Sequence, residues 1–491
     1  MRDLLSVLRE RVVVYDGGMG ATLEQFDLSL EDDYKLPGRC HEALVLNRPD
    51  VIEGVHESML QAGAMVLETD TFQGSRLKLS EWGLEDHTEE INLKAAQIAR
   101  KAAGEHRFVA GSIGPTGFLP ASDDPTLGNI SFRELVEVFT EQASGLVNGG
   151  ADLIIIETAQ DILEVKAAVF GAREAFKATG KTLPIQCSVS LLPQGGKMLL
   201  GTDISAVLAT LESLDIDLIG LNCSTGPEDM RDAIRFLGEH SSLPVHCIPN
   251  AGLPLQGPNG ETIFPEQPEP LAAVLGEFVE RYGLSIVGGC CGTTPEHISA
   301  LAERVKDRVP GERPAPRPPH LSSMIAATTL VQDPSPTLVG ERVNSQGSRK
   351  AKEMLLADDY DGLVTVAEDQ VTGGAHVLDV CVALTERQDE DEQMRQVVKR
   401  VSLTQPAPIQ VDSTEPEVIE TALQQIPGRA IVNSINLEAG RAKLDRVVPI
   451  AKAHGAALIA LTIDEVGMAK TAERKVEVAK RIRDLCCDEH G

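Results

Sequence analysis

The stretch 288-GGCCGTTPEHI-298 sets Cys290 beside Cys291 just past the apolar run 284-LSIV-287. Successive side chains of a strand point to opposite faces, so two adjacent thiols at a strand end need a reason. They can be unrelated core cysteines, a strained vicinal disulfide, or two ligands of one metal ion. A third thiol, Cys223, follows a second apolar run in 217-DLIGLNCSTGP-227. Gly288, Gly289 and Gly292 give the backbone freedom to turn both sulfurs the same way. Three thiolates suit Zn²⁺ and leave a fourth position open, the pattern of a catalytic zinc. Such an ion captures an external thiol as thiolate at neutral pH. Attack of that thiolate on an activated methyl group gives a thioether. An amino-acid thiol also needs partners for its ammonium and carboxylate. Asp16 and Glu157 can face the ammonium, and the turn 16-DGGMG-20 offers backbone N–H groups around Gly18 and Met19 for the carboxylate. A plain tight turn and a capping carboxylate are the blander readings of the same residues.

These residues must be brought together by the elements that carry them. Eight short apolar runs punctuate residues 1–309: 12-VVVY-15, 64-AMVLE-68, 108-FVAGSI-113, 152-DLIIIE-157, 184-PIQCSVS-190, 217-DLIGLN-222, 244-PVHCIP-249 and 284-LSIV-287. Continuous apolar runs suit parallel strands buried on both faces. Amphipathic stretches lie between them, such as 160–180, which ends in glycine, and the helix opened by Thr294 and Pro295. Eight strand–helix units predict an α/β fold, a (β/α)8 TIM barrel, with an open doubly wound sheet as the alternative. Active sites of such barrels gather where the strands end, and Asp16, Glu68-Thr69-Asp70, Ser112, Glu157, Asn222-Cys223, Asn250 and Cys290-Cys291 stand there.

Residues 310–325 are proline-rich and read as a semi-rigid linker. Strand–helix alternation then resumes over 326–491, with strand candidates at 338-LVGER-342, 376-HVLDVC-381, 408-PIQVDS-413, 430-AIVNSIN-436 and 456-AALIALTID-464. Five units make an incomplete second barrel, so we expect the N-terminal portion of a domain completed elsewhere. The net charge of −29 excludes a basic nucleic-acid or anionic-membrane surface. Neither a membrane-spanning apolar run nor a signal-peptide pattern is present. Nine cysteines in 491 residues do not make a secreted disulfide scaffold, so a reducing cytoplasm is expected. Cys40, Cys187, Cys247 and the pair Cys486-Cys487 read as core or incidental thiols.

The motifs DGGMGATLEQ, 110-AGSIGPTG-117, 154-IIIET-158, 221-LNCSTGPE-228, 250-NAGLP-254 and GGCCGTTPEHI resemble the homocysteine S-methyltransferase family. That family includes betaine-dependent enzymes and the first module of cobalamin-dependent methionine synthases. The resemblance implies zinc on Cys223, Cys290 and Cys291, with the homocysteine sulfur as fourth ligand. It also implies that Asn250 approaches the metal when substrate is absent. Asp70 departs from it, standing in 69-TDTF-72 where the family usually has asparagine.

The second region, with GERVNSQGSRK, 378-LDVC-381, 411-VDST-414 and 432-VNSIN-436, resembles the pterin-binding barrel of cobalamin-dependent methionine synthases and related methyltetrahydrofolate methyltransferases. A pterin presents N–H donors that want a carboxylate, and Asp412 is the first choice. Asn433 can both donate and accept. Asp379 and Asp464 are further strand-end carboxylates, and Asn344 stands in the GERVN motif. Cys381 departs from the family asparagine. No cobalamin-loop motif D-x-H-x-x-G occurs, so methylcobalamin is expected on a segment outside this chain. The expected function is methionine synthesis from homocysteine, with 5-methyltetrahydrofolate as methyl donor and a cobalamin-binding domain as partner. The alternatives are a corrinoid-independent methyltransferase using betaine or S-methylmethionine, and a non-catalytic fragment with a structural zinc.

Overall fold

The apolar runs of residues 1–309 become eight parallel strands. They are β1 (Val13–Val14), β2 (Val66–Glu68), β3 (Phe108–Ile113), β4 (Leu153–Ala159), β5 (Ile185–Val189), β6 (Leu218–Asn222), β7 (Val245–Ile248) and β8 (Ile286–Val287). The computed structural model describes residues 3–257 and 262–491. Each strand pairs in parallel with its neighbour in the chain, and β1 pairs with β8. A bridge between Tyr15 and Val66 joins β1 to β2, with Met65 N–H donating to Val14 O at 2.7 Å and Asp16 N–H to Val66 O at 3.1 Å. The ring therefore closes, which excludes the open doubly wound sheet. Its interior is filled by Tyr15, Val66, Phe108, Leu153, Ile155 and Ile248, among others. Few aromatics are needed, because β-branched and leucine side chains fill a barrel of this size.

The helices follow their local signals. Ile162–Thr179 starts after Asp161, whose carboxylate accepts Leu163 N–H at 2.7 Å, and stops at Gly180 with φ +68°. Pro295–Val305 has proline in its first turn, where no intrahelical donor is lost. Among the described residues no helix is long and apolar enough to cross a membrane.

The chain divides into two compact units. The first comprises Met1–Pro120, Asp124–Ile204 and Ile216–Pro316, and the second Ala121–Asp123, Ser205–Asp215 and Arg317–Gly491. In the second unit β9 (Val339–Asn344), β10 (Val377–Cys381), β11 (Ile409–Asp412), β12 (Ile431–Ile435) and β13 (Ala457–Ala460) form a parallel sheet in chain order. Helices pack Val397, Ile419 and Val447 onto Val380, Val411 and Val432 of that sheet. This is the α/β arrangement of an incomplete barrel.

Three local expectations change. The stretch 456–464 is not one strand: after β13 the chain turns, and Ile463–Asp464 pairs antiparallel with Gly467–Met468. Residues 320–322, counted as linker from composition, pair antiparallel with Ala327–Thr329. The last α-helix ends at Asp484 and runs on into a π-helical turn, Leu485–Glu489, with Cys486 half-buried and Cys487 exposed, so Cys487 is not a core thiol. Adjacent helical positions lie about 100° apart, so one buried thiol does not bury the next. Cys40, Cys187 and Cys247 are buried as expected.

Candidate active site

β6 ends at Asn222, and the next two residues, Cys223 and Ser224, both adopt left-handed φ, +59° and +66°. Non-glycine residues pay for that conformation, and two in succession mark a turn imposed by its surroundings. The turn brings Cys223 Sγ to 3.8 Å from Cys291 Sγ, and Cys290 Sγ lies 4.0 Å from Cys291 Sγ. All three sulfurs lie within 4.8 Å of one another. A tetrahedral ion with Zn–S bonds near 2.3 Å sets its sulfurs about 3.8 Å apart, so the trio fits a single zinc. A disulfide needs sulfurs about 2.05 Å apart, which excludes the vicinal bridge.

Of the three glycines around the pair, only Gly292 is left-handed, at φ +78°. Gly288 instead serves close approach: a Cβ there would lie 2.6 Å from that of Tyr15. Contact with the Cys290 and Cys291 thiols lowers Cys223 to about 3. Cys290 is pushed well up by the same contact, and Cys291 rises to about 12. Asn250 Oδ1 accepts Cys291 N–H at 3.1 Å, and the Asn250 side chain also supports the Cys223 thiolate.

Beside the sulfurs lie acidic groups, with no cationic partner among the described residues. Asp16, at the end of β1, accepts Glu68 N–H at 2.9 Å, and burial then the nearby Glu157 charge hold its pKa well up. Glu157 on β4 rises to about 7, chiefly through burial, and Ser112 Oγ donates to its Oε1 at 2.5 Å. Glu68 is raised by burial, then by Glu157 and Asp16. Buried carboxylates that repel one another form a ready receptor for an ammonium group. Glu68 was legible as a strand end, but its place beside Asp16 depends on the β1–β2 closure.

One site residue behaves differently from expectation. Gly18 N–H is already used, donating to Thr293 Oγ1 at 3.0 Å and Thr293 O at 3.2 Å, so it is not open to a substrate carboxylate. Met19 instead opens the short helix Met19–Leu23, whose first N–H groups lack intrahelical partners. Asp70 is buried, its Oδ2 without a partner among the described residues, and burial then the Glu42 charge raise its pKa well above the usual value.

In the second unit Asn344 closes β9 and donates through Nδ2 to Asp379 at 2.7 Å and to Asp412 at 3.1 Å. Asp379, inside β10, also receives Gln410 Nε2 at 2.5 Å, so both its oxygens are engaged. Gln410 escaped sequence reading because only the β10–β11 register sets it opposite Asp379. Asp412, at the end of β11, is half-buried and faces Asn433 of β12 in register. Burial, then the Asp379 charge, raises Asp412. Asp464 is not brought to this group; its buried carboxylate pairs with Arg474. Cys381 is buried, and Ser345 Oγ approaches its sulfur at 3.8 Å.

Residues 13–305 match the profile of homocysteine S-methyltransferase, and residues 340–491 that of pterin-binding enzymes. The chain is 41% identical over 494 residues to a methionine synthase of Mycobacterium leprae, covering 98% of this chain and 40% of that protein. It is 41% identical over 489 residues to the methionine synthase of Mycobacterium tuberculosis, with the same coverage. The chain thus spans 40% of the length of these curated relatives. Among solved structures, the metallated homocysteine methyltransferase MmuM of Escherichia coli is 25% identical, with a TM-score of 0.49 over 61% of this chain and 99% of that one. The first-unit profile takes in β1 to β8 and all three clustered thiols, and by that match the chain belongs to the homocysteine S-methyltransferase family.

Proposed function

We propose that the chain carries two sites of a methionine synthase: one that methylates homocysteine and one that receives 5-methyltetrahydrofolate. The observation that carries this reading is the tetrahedral spacing of the Cys223, Cys290 and Cys291 sulfurs beside the buried carboxylates Asp16, Glu68 and Glu157. Zinc held by these three thiolates supplies a Lewis acid that keeps a fourth sulfur deprotonated at neutral pH. Asp16 and Glu157 bind the homocysteine ammonium and fix the amino acid so that its thiol reaches the sulfur trio. Met19 N–H, at the opening of its helix, faces the substrate carboxylate. Asn250, tied to Cys291, holds the rim on which the substrate sulfur enters.

In the second unit Asp412 accepts the pterin N–H donors and Asn433 meets the neighbouring ring atoms. Asn344 keeps Asp379 and Asp412 in one plane of hydrogen bonds. Cobalamin would serve as the methyl carrier between the two half-reactions, held by a further segment or by another chain. The pterin-binding match over residues 340–491 supports the folate route over betaine or S-methylmethionine. The free thiols support a reducing, cytoplasmic setting.

The test is methyl transfer from free methylcobalamin to homocysteine, with Cys290→Ala as control. Zinc-dependent methionine formation that Cys290→Ala abolishes is expected. Equal rates with and without zinc would remove the reading.

A further inference from the structure

We propose that Asn222 is a positioning residue that ties the amine-binding carboxylate Glu157 to the metal-site sulfur of Cys290, so that recognition of the substrate amine and capture of its thiol act as one unit. This rests on the function proposed above and assigns a role to a residue that is neither a ligand nor a substrate contact.

Asn222 is 1% exposed at the end of β6. Its Oδ1 accepts Thr158 N–H at 2.8 Å and Ser188 Oγ–H at 2.7 Å. A backbone N–H can only donate, so the flip of the amide is fixed and Nδ2 must face the other way. There Nδ2 donates to Glu157 Oε2 at 2.9 Å and to Thr158 Oγ1 at 2.8 Å, and it stands 4.0 Å from Cys290 Sγ. One amide thus links β4, β5, β6 and the turn after β8.

The backbone on both sides of this amide is strained. Thr158, β-branched, has φ +54°, and Cys223, next in sequence to Asn222, has φ +59°. A β-branched residue in that region is a true outlier. Thr158 is held there by two hydrogen bonds to Asn222, one to its N–H and one to its hydroxyl. Glu157 is then gripped from two sides, by Ser112 on Oε1 and by Asn222 on Oε2, which fixes its carboxylate plane. Loss of the amide releases Glu157, Thr158 and the Cys223 turn together, and leaves buried acceptors unpaired.

Two readouts separate this coupling from a merely structural role. The first is the affinity ratio between homocysteine and 4-sulfanylbutanoate, which has the thiol and carboxylate but no amine. The second is zinc affinity by chelator competition, with circular dichroism as a check on folding. In Asn222→Ala, which leaves Glu157 and all three cysteines unmutated, the ratio falls about ten-fold and zinc affinity falls with it. Ser188→Ala removes only a donor onto Asn222 Oδ1, and shifts both readouts in the same direction by less. A folded Asn222→Ala that keeps the wild-type ratio, or keeps wild-type zinc affinity, overturns the coupling. Should Asn222→Ala fail to fold, unchanged readouts in Ser188→Ala overturn it instead. Wild-type protein that shows no preference for homocysteine over its desamino analogue would overturn the proposed function and this coupling together.

Discussion

The sulfurs of Cys223 and Cys291, 68 residues apart in the chain, stand 3.8 Å from one another. The end of β7 sets that spacing. Cys223 N–H donates to Ile248 O at 3.1 Å, Cys290 N–H to Pro249 O at 2.8 Å and Cys291 N–H to Asn250 Oδ1 at 3.1 Å. Three consecutive residues of one strand end therefore hold all three ligand backbones.

A cradle built from backbone hydrogen bonds keeps its shape without metal. Chelation is expected to leave far-UV circular dichroism native while abolishing homocysteine binding. Cys223→Ala should bind less than one zinc per chain and stay folded. Unfolding on chelation would show instead that the ion holds the barrel together.

Glu157 sits at about 7 because burial disfavours its charge, and an ammonium ligand needs that charge. Binding of L-2-aminobutyrate, which has the amine and carboxylate but no sulfur, should therefore strengthen as pH rises through about 7. Isothermal titration at several pH values measures this. Glu157→Gln should bind weakly and lose that step.

Asp70 carries a buried oxygen without a partner among the described residues. Its folded pKa lies above the unfolded value, through burial and then Glu42, so the folded state keeps a proton that the unfolded chain releases. Stability therefore falls as pH rises beyond about 4, toward the folded pKa. Asp70→Asn needs no proton, and should melt about 2–4 °C above wild type at pH 8, with the gap closing below about pH 4. Thermal melts at both pH values check the sign.

Asp412 is half-buried with one oxygen held by Asn344, whereas Asp464 is locked to Arg474. Asp412→Asn should weaken methyltetrahydrofolate binding about ten-fold. Asp464→Asn should leave that affinity within about two-fold and lower stability modestly, since Arg474 loses its buried partner and keeps only Glu477. Equal loss in both variants would place the two carboxylates in one pocket.

The strand ends were legible because parallel strands buried on both faces read as unbroken apolar runs. That pattern located Asp16, Glu157, Cys223, Cys290 and Asp412 without any knowledge of their neighbours. What it could not show is who bonds to whom. Gly18 looked open because its partner, Thr293, lies 275 residues away. Asn222 and Gln410 gain their roles only from the lateral register of adjacent strands. Asp464 was misplaced because 456-AALIALTID-464 keeps its apolar character through a turn, where Ile463 N–H bonds Leu461 O at 2.8 Å.

The bridge between Tyr15 and Val66 has a consequence for how the first unit opens. A hoop of eight strands has no free margin from which to fray, so its inner amides give up their protons to deuterium only when the whole ring comes apart.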